Sequence, residues 1–280
     1  MNKPFVALEF PSVADFGLDR AAEVLTRGFS DYFVPIVSNP GMLLQMARGD
    51  SVDLTVSRVI LRDGVAAGVA LVARRGWTCR LAGMAIVPEA RRTGAGRAVV
   101  GYLLDEARGR GERSMVLEVI EQNEPAVKLY EACGFKKTRR LLGYAGPGVP
   151  DATVPAGLAE VDLRDMAEVV THDSLRDLPW QLSGETLAQL TPPHVAFRLN
   201  GSWVALSNPA SPQITIRGLV TEHVVQGQGR AAALLRAVMG KFPGKTWRLP
   251  ALWPEELGSV IADAGLTLTP LSQWQMERSW

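Results

Sequence analysis

The sequence has few of the side chains that most often bind metals or form disulfides. Its 280 residues include only two cysteines, Cys79 and Cys133, and three histidines that are scattered along the chain. Neither a disulfide framework nor the ligand spacing of a metal site is present. We therefore expect no metal, and we interpret both cysteines as small buried side chains in a reducing compartment.

Long apolar runs and an excess of one charge are also missing. No run approaches the length that spans a bilayer, and the first residues lack the apolar core of a signal peptide. The net charge of +1 gives no indication of a surface for nucleic acid or membranes. These absences predict a cytoplasmic protein without nucleic-acid or membrane partners.

Local patterns divide the chain into strands, turns and helices. Phe5–Phe10 is predicted as the first strand, and Leu81–Val87 as a mostly apolar central strand. The dipeptides Asp63-Gly64 and Asn200-Gly201 predict tight hairpin turns between strands.

The stretch from Met84 to Arg97 is the most informative part of the sequence. It is typical of a buried strand that ends, a sharp turn and a helix that begins. Gly94 and Gly96 allow a close approach of the backbone, and the first N–H groups of a helix attract an anion. Three arginines in the same turn would strengthen such a site. A purely structural turn fits these residues equally well, and neither a dinucleotide fingerprint nor a Walker loop is present.

The second half of the chain repeats the order of elements found in the first. Gly227-Gln-Gly-Arg230 follows an apolar strand, as Gly94-Ala-Gly-Arg97 does, and Gly265 ends the next short helix, as Gly134 does. Self-similarity over a whole domain length predicts two copies of one fold. Because a segment dense in Gly and Pro lies between the copies, we predict a first domain at 1–145, a linker at 146–156 and a second domain at 157–280.

Two motifs in order resemble the GNAT superfamily of N-acetyltransferases. Arg91-Arg-Thr-Gly94-Ala-Gly96 fills the phosphate motif of that family, and Asn123, Tyr130 and Gly134-Phe135 fill a later motif. The resemblance extends to about Tyr144, and the whole chain resembles a tandem member. It implies an α/β (α+β) protein of two GNAT folds, each a mixed, mostly antiparallel, splayed sheet flanked by helices.

The resemblance also implies acetyl-CoA as the acetyl donor and a primary amine, small molecule or peptide, as the acceptor. Backbone groups of Met84, Ala85 and Ile86 would bind the pantetheine arm. The turn would hold the pyrophosphate through a run of seven residues: Arg91, Arg92, Thr93, Gly94, Ala95, Gly96 and Arg97. Asn123 would bind the coenzyme, and it would equally serve as the N-cap of the helix that follows.

Acetyl transfer to an amine needs an acid for the departing thiolate and a base for the amine. Tyr130 would be the general acid, although a packed aromatic is the alternative. Glu118 resembles the general base of ribosomal-protein N-terminal acetyltransferases, and an ordinary solvent-facing glutamate is its alternative. Tyr32 and Phe33 lie where the family builds its acceptor wall, and core packing would explain both residues as well.

The second copy departs from the motif. When Gly94 is aligned with Gly227, Val224 and Val225 stand where the first copy has its two arginines. When Gly134 is aligned with Gly265, the functional positions of the first copy fall on side chains without acid or base groups: Leu249 at Glu118, Pro254 at Asn123 and Ile261 at Tyr130.

We therefore predict an N-acetyltransferase with an active N-terminal domain and a catalytically silent C-terminal domain, in which the amine attacks acetyl-CoA directly in a ternary complex. The alternative is a non-catalytic acyl-CoA sensor or scaffold. A monomer and a homodimer both fit the sequence.

Overall fold

The computed structural model describes residues 7–149 and 153–280, in which strands and helices follow one another. Phe5 and Val6 of the predicted first strand, and residues 150–152 of the predicted linker, lie outside the described residues. The elements up to residue 132 are β1 Leu8–Glu9, α1 Val13–Phe16, α2 Leu18–Gly28, α3 Pro40–Gly49, β2 Arg58–Arg62, β3 Val65–Arg75, β4 Thr78–Ile86, α4 Ala95–Gly109, β5 Ser114–Ile120 and α5 Glu124–Ala132. The remaining elements are β6 Lys136–Gly146, β7 Ala159–Val161, α6 Leu163–Asp173, α7 Gly184–Leu187, β8 Val195–Leu199, β9 Ser202–Leu206, β10 Gln213–Thr221, α8 Arg230–Lys241, β11 Thr246–Pro254, α9 Gly258–Asp263 and β12 Thr267–Ser279.

Contacts divide the described residues into two compact units. The first unit holds residues 7–119, Asn123–Thr138 and Met276–Trp280, and the second holds Ile120–Gln122 and Arg139–Gln275. This grouping differs from a division at residue 145, because most of β6 belongs to the second unit and the last five residues belong to the first. Among the residues that the structure describes, no helix is long and apolar enough to cross a membrane.

The sheet of the first unit has the strand order β1-β2-β3-β4-β5. Its neighbours are antiparallel except for β4 and β5, which run parallel. Asp63 and Gly64 both have positive φ at the turn between β2 and β3, as the dipeptide predicts. Because successive strand residues point to opposite faces, α2 and α4 cover the two sides of β4: Gly28 of α2 lies against Ala85, and Gly96 of α4 lies near Met84 and Ile86.

The second unit contains the strand order β12-β6-β11-β10-β9-β8-β7. Only β10 and β11 are parallel among the pairs from β6 to β7 in that order. Apolar side chains alternate between the faces of β9: Ala205 joins a core with Met166 of α6, whereas Val204 joins a core with Leu234 of α8. The predicted fold class, a mixed and mostly antiparallel sheet flanked by helices and present twice, is confirmed.

The alignment of the two glycine turns shifts by two residues. Helix α4 begins after Gly94, which has φ 93°, and helix α8 begins after Gly229, which has φ 67°. Gly94 therefore corresponds to Gly229, and the predicted match with Gly227 is wrong. Arg92 and Gly227 are true counterparts, because both have positive φ two residues before the glycine N-cap.

The corrected alignment changes which residues of the second unit correspond to the predicted site residues, but the counterparts still lack the functional groups of the first unit. The counterparts of Arg91 and Arg92 are Gln226 and Gly227 rather than two valines. The parallel ladders match Val116 with Arg248, so Glu118 corresponds to Pro250 and not to Leu249. None of these residues in the second unit carries a positive charge or an acid–base group.

The predicted match of Ile261 with Tyr130 is confirmed by helix ends. In α5 the N–H of Phe135 bonds the carbonyl of Tyr130, and in α9 the N–H of Leu266 bonds the carbonyl of Ile261. A glycine with positive φ precedes each donor.

Candidate functional site

A gap opens in the sheet of the first unit where β4 and β5 separate. The two strands pair in parallel only from Thr78–Arg80 and Ser114–Val116. Both strands continue beyond that ladder, β4 to Ile86 and β5 to Ile120. Backbone groups at their carboxyl ends are therefore left without a partner from the other strand.

Along β4, the backbone N–H and C=O groups of every second residue point toward the gap. The N–H of Val87 bonds the carbonyl of Ala67 on the β3 side, so Ala85, two residues earlier, also turns its backbone groups toward β3. Met84 and Ile86 turn theirs toward the gap. Of the three residues predicted to bind pantetheine through the backbone, this geometry suits Met84 and Ile86, and it does not suit Ala85.

The turn after β4 ends in an open helix terminus. The first hydrogen bond of α4 runs from the N–H of Ala98 to the carbonyl of Gly94, at 3.0 Å. The N–H groups of Ala95, Gly96 and Arg97 therefore have no acceptor within the helix, and the helix dipole makes this end positive. A Cβ at residue 96 would lie 3.3 Å from the side chain of Leu129, which explains the need for a small residue.

Arg91 is bound within the protein rather than presented to a ligand. Its guanidinium donates to both carboxylate oxygens of Asp31, at 2.6 and 2.7 Å, and to the carbonyls of Gly28 and Ile86, both at 3.0 Å. The hydrogen bond from Arg91 holds the pKa of the Asp31 carboxyl below its ordinary value. Arg91 thus joins the turn to the end of α2, whereas Arg92 and Arg97 remain exposed.

Two predicted site residues belong to α5, Asn123 as its N-cap and Tyr130 in its last turn. Asn123 is the N-cap of this helix, and its side chain accepts a hydrogen bond from the N–H of Ala126 at 3.4 Å. Burial raises the pKa of the Tyr32 phenol, and the nearby side chain of Asn123 partly opposes this effect. Tyr32 also acts electrostatically on Tyr130, so the two phenols are neighbours. The N-cap prediction for Asn123 is confirmed.

Tyr130 lies in an apolar setting close to the gap. Its side chain is 7% exposed and contacts the ring of Phe135, with the ring centroids 5.9 Å apart. The preceding residue, Leu129, approaches Gly96 at the start of α4. Burial raises the pKa of Tyr130, and the nearby Tyr32 adds to this effect, so the phenol keeps its proton at neutral pH.

Glu118 is buried in an ion pair that the sequence did not indicate. Arg80 donates to one carboxylate oxygen, Oε2, from Nε at 2.8 Å and from Nη2 at 2.6 Å. The side chains of Arg80 and Glu118 are 5% and 3% exposed, so the solvent-facing interpretation of Glu118 is wrong. Within residues 7–149 and 153–280, the buried Oε1 has no hydrogen-bond partner.

The ion pair of Arg80 and Glu118 lies where β4 and β5 separate. Arg80 is the last residue of β4 in the parallel ladder, and Glu118 lies two residues beyond the last paired residue of β5. A positive charge inside an apolar strand was the signal that would have identified Arg80, but the strand was predicted to begin one residue later, at Leu81.

Phe33, Thr93 and Ala95 are the remaining predicted site residues. Phe33 is 47% exposed, and its ring contacts that of Tyr32 at 5.6 Å. The hydroxyl of Thr93 donates to the carbonyl of Ala90 at 2.7 Å, which fixes the turn. Ala95 is buried. An exposed aromatic beside a half-buried phenol suits a binding wall better than a core position.

The second unit has a cavity where its own copy of the gap would lie. The cavity has a volume of about 410 Å³ and is lined by the end of β10, the 226–230 turn and apolar side chains that include Leu178 and Trp253. Its turn is bound within the unit: Gln226 donates to the carbonyl of Thr221, and Arg230 donates to the carbonyl of Asn200. Ile261, the counterpart of Tyr130, is fully buried.

Residues 26–135 match the model of a family described as the acetyltransferase (GNAT) family. Among similar proteins, the [ribosomal protein bS18]-alanine N-acetyltransferase of Escherichia coli (strain K12) is 40% identical over 75 residues, which are 26% of this chain and 51% of that protein. Streptothricin acetyltransferase of Streptomyces lavendulae is 34% identical over 91 residues, 32% of this chain and 48% of that protein. The matches thus span about half the length of these curated relatives.

Two solved structures share the fold over almost the whole chain. A GCN5-related N-acetyltransferase from Sphaerobacter thermophilus has a TM-score of 0.70 at 17% identity, covering 98% of this chain and 95% of its own. The tandem GNAT protein from the clavulanic acid biosynthesis pathway has a TM-score of 0.66 at 15% identity, covering 98% of both chains. The fold is therefore a tandem GNAT fold. The match to the family model covers residues 26–135 of the 280.

Among the residues placed by the structure, no three His, Cys, Asp or Glu side chains form a group that could hold a metal ion.

Proposed function

We propose that this protein is an N-acetyltransferase that moves the acetyl group of acetyl-CoA to a primary amine, with the chemistry in the first unit. The observation that carries the proposal is the gap between β4 and β5, with an open helix N-terminus at one side and the Tyr32, Asn123 and Tyr130 cluster at the other. A helix N-terminus with free N–H groups suits a pyrophosphate. The backbone groups of Met84 and Ile86 suit the amides of a pantetheine arm.

The residues of the turn divide their work in this proposal. Free N–H groups of Ala95, Gly96 and Arg97 would bind the phosphates, and Arg92 and Arg97 would add positive charge from exposed side chains. Arg91 would position the turn through Asp31 and Gly28. Asn123 would position Tyr32 and begin α5.

Acetyl-CoA supplies the thioester whose acetyl group is transferred. The amine nitrogen forms a bond to the acetyl carbon as the carbon–sulfur bond breaks. Tyr130 donates its phenolic proton to the departing sulfur, since the phenol is protonated at neutral pH. Glu118 accepts the proton of the amine at Oε1, directly or through a water molecule, while Arg80 keeps Oε2 occupied.

Direct attack by the amine fits the state of both thiols. Burial raises the pKa of Cys79 to about 12 and also raises that of Cys133. Neither cysteine is therefore an activated thiolate that could carry the acetyl group covalently.

The acceptor in this proposal is a primary amine of a peptide or a small molecule. Both classes occur among the similar proteins, one of which is named for the alanine of a ribosomal protein and another for streptothricin. The second unit would be catalytically silent, because Ile261 and Pro250 supply neither a proton donor nor a base.

The test combines calorimetry with acetyl-CoA and a thiol-release assay over a panel of amines, including a peptide with an N-terminal alanine. Binding together with amine-dependent release of CoA supports an enzyme. Binding without release from any amine supports the alternative of an acyl-CoA sensor or scaffold. If acetyl-CoA does not bind, both versions are wrong.

A further inference from the structure

A positively charged pocket, separate from the gap, lies beside α4. It has a volume of about 450 Å³ and lies in the first unit. Arg97 and Gly101 line it from α4, Cys133 and Gly134 from the end of α5, and Arg278 from the last strand. The chain thus brings together two arginines that are far apart in sequence.

Both guanidiniums are anchored by carbonyls at the carboxyl end of α5. Arg97 donates from Nη2 to the carbonyl of Ala132 at 3.4 Å, and Arg278 donates from Nη1 to the carbonyl of Cys133. The negative end of a helix attracts cations, which explains this placement. Each guanidinium has five N–H donors, so most of them remain for another acceptor.

The charge of the pocket is not balanced by acidic groups. In the part of the chain that the structure describes, neither Arg97 nor Arg278 has a carboxylate within 4.0 Å, and no acidic side chain lines the pocket. Burial raises the pKa of the Cys133 thiol, which therefore stays neutral. Two unbalanced guanidiniums in one pocket suit an anion that carries two charges, such as a phosphate monoester.

Arg278 is held in place by the end of the chain. The side chain of Trp280 donates from Nε1 to the carbonyl of Glu112 at 2.6 Å, and its backbone N–H bonds the carbonyl of Arg113 at 3.2 Å. Met276 is fully buried on the other side. Because residues on both sides of Arg278 are fixed, its guanidinium is positioned before any ligand binds.

The pocket begins next to the turn proposed for the pyrophosphate. Arg97 is the third residue of α4, so it lies about 4.5 Å along the helix axis from the N-cap glycine. Coenzyme A carries its pyrophosphate and a phosphate monoester on the same ribose. A protein that binds the first group at the turn would meet the second within a short distance.

We propose that Arg97 and Arg278 bind the 3′-phosphate of coenzyme A, so that a residue from the C-terminal end of the chain selects the donor substrate in the first unit. This inference rests on the proposed function. The inference goes beyond the proposed function, because neither the turn nor the gap distinguishes coenzyme A from a coenzyme without that phosphate.

The test compares the dissociation constants of the full chain for coenzyme A and 3′-dephospho-coenzyme A by calorimetry at low salt. We expect the protein to prefer coenzyme A by about tenfold to a hundredfold, the range of one or two charge-assisted hydrogen bonds. In Arg97→Ala/Arg278→Ala the preference should be lost, so that the two coenzymes bind with about equal dissociation constants, whereas any loss of the pyrophosphate interaction of Arg97 weakens both coenzymes alike. Arg20→Ala, which removes an exposed arginine of the same unit, should keep the preference.

A ratio of two constants for the same variant is insensitive to partial loss of fold. Since Arg278 caps α5, circular dichroism should accompany the measurement, and Arg278→Lys provides a milder variant that should keep part of the preference. Equal binding of both coenzymes by the unaltered protein, or a preference that survives the double substitution, overturns this proposal alone. Failure to bind either coenzyme overturns the proposed function as well.

Discussion

The substitution Arg80→Met should show how much the buried ion pair of Arg80 and Glu118 contributes to the free energy of unfolding. In Arg80→Met the carboxylate of Glu118 stays in place with both oxygens unpaired, because Oε1 already lacks a partner. Leaving one charge of a buried pair uncompensated costs about 3–5 kcal/mol of the free energy of unfolding. Both side chains are at most 5% exposed, so solvent offers little compensation.

Urea unfolding of three variants would measure this cost. Arg80→Met/Glu118→Met leaves no unpaired charge, so it should lose less stability than Arg80→Met alone. Arg27→Met is the control, because Arg27 pairs with Glu89 at the surface, where both side chains are more than half exposed and such a pair contributes about 0–1 kcal/mol.

The order of stability among the three variants tests whether the pair is both buried and charged. If Arg80→Met costs no more than Arg27→Met at neutral pH, or if the double variant is the less stable one, the account of a buried charged pair is wrong.

Other predictions address the remaining parts of the site. Tyr130→Phe should lower kcat by about 10²–10⁴-fold with little change in acetyl-CoA affinity, whereas Tyr102→Phe, on α4, should leave kcat unchanged in the same assay. Gly28→Ala should lower the free energy of unfolding by about 1–3 kcal/mol in urea titrations, because the added Cβ would lie 2.6 Å from the nearest side-chain carbon. Asp31 has its pKa lowered from 3.8 by folding, so its ion pair stabilises the protein above that pH and the contribution is lost as the pH falls through the lower folded value. Thermal unfolding of Asp31→Asn should therefore differ from that of the unaltered protein at neutral pH, and the difference should disappear in strong acid.

Turns and strand order within hairpins could be predicted from the sequence because their causes are local. Asn200 and Gly201 have φ 49° and 79°, the positive values that the two-residue turn requires. Strand β5, Ser114–Ile120, is likewise a short, mostly apolar run between turn signals. The two motifs around Gly94 and Tyr130 are local as well.

The register of the repeat could not be predicted, because each copy has two glycines spaced two residues apart. Only the backbone conformation shows which one precedes the helix, Gly94 in the first copy and Gly229 in the second. Local periodicity also does not determine which strand pairs with which. The pairing of β6 with β11, and the place of Met276–Trp280 in the first unit, depend on contacts distant in sequence.

The partners of charged side chains also could not be predicted from the sequence. Arg91 matches a phosphate motif, yet its guanidinium is bound by Asp31, which lies sixty positions away. Arg80 was not recognised because its partner, Glu118, lies on another strand. In both cases the role of a charged residue depends on a neighbour that only the folded chain provides.

Hydrogen exchange of the full chain with and without acetyl-CoA would show which unit binds the coenzyme. We expect slower exchange of the backbone amides at residues 84–97, where the gap and the turn lie, and no change at the corresponding residues 219–232. Unchanged exchange at 84–97, or protection confined to 219–232, would contradict this expectation.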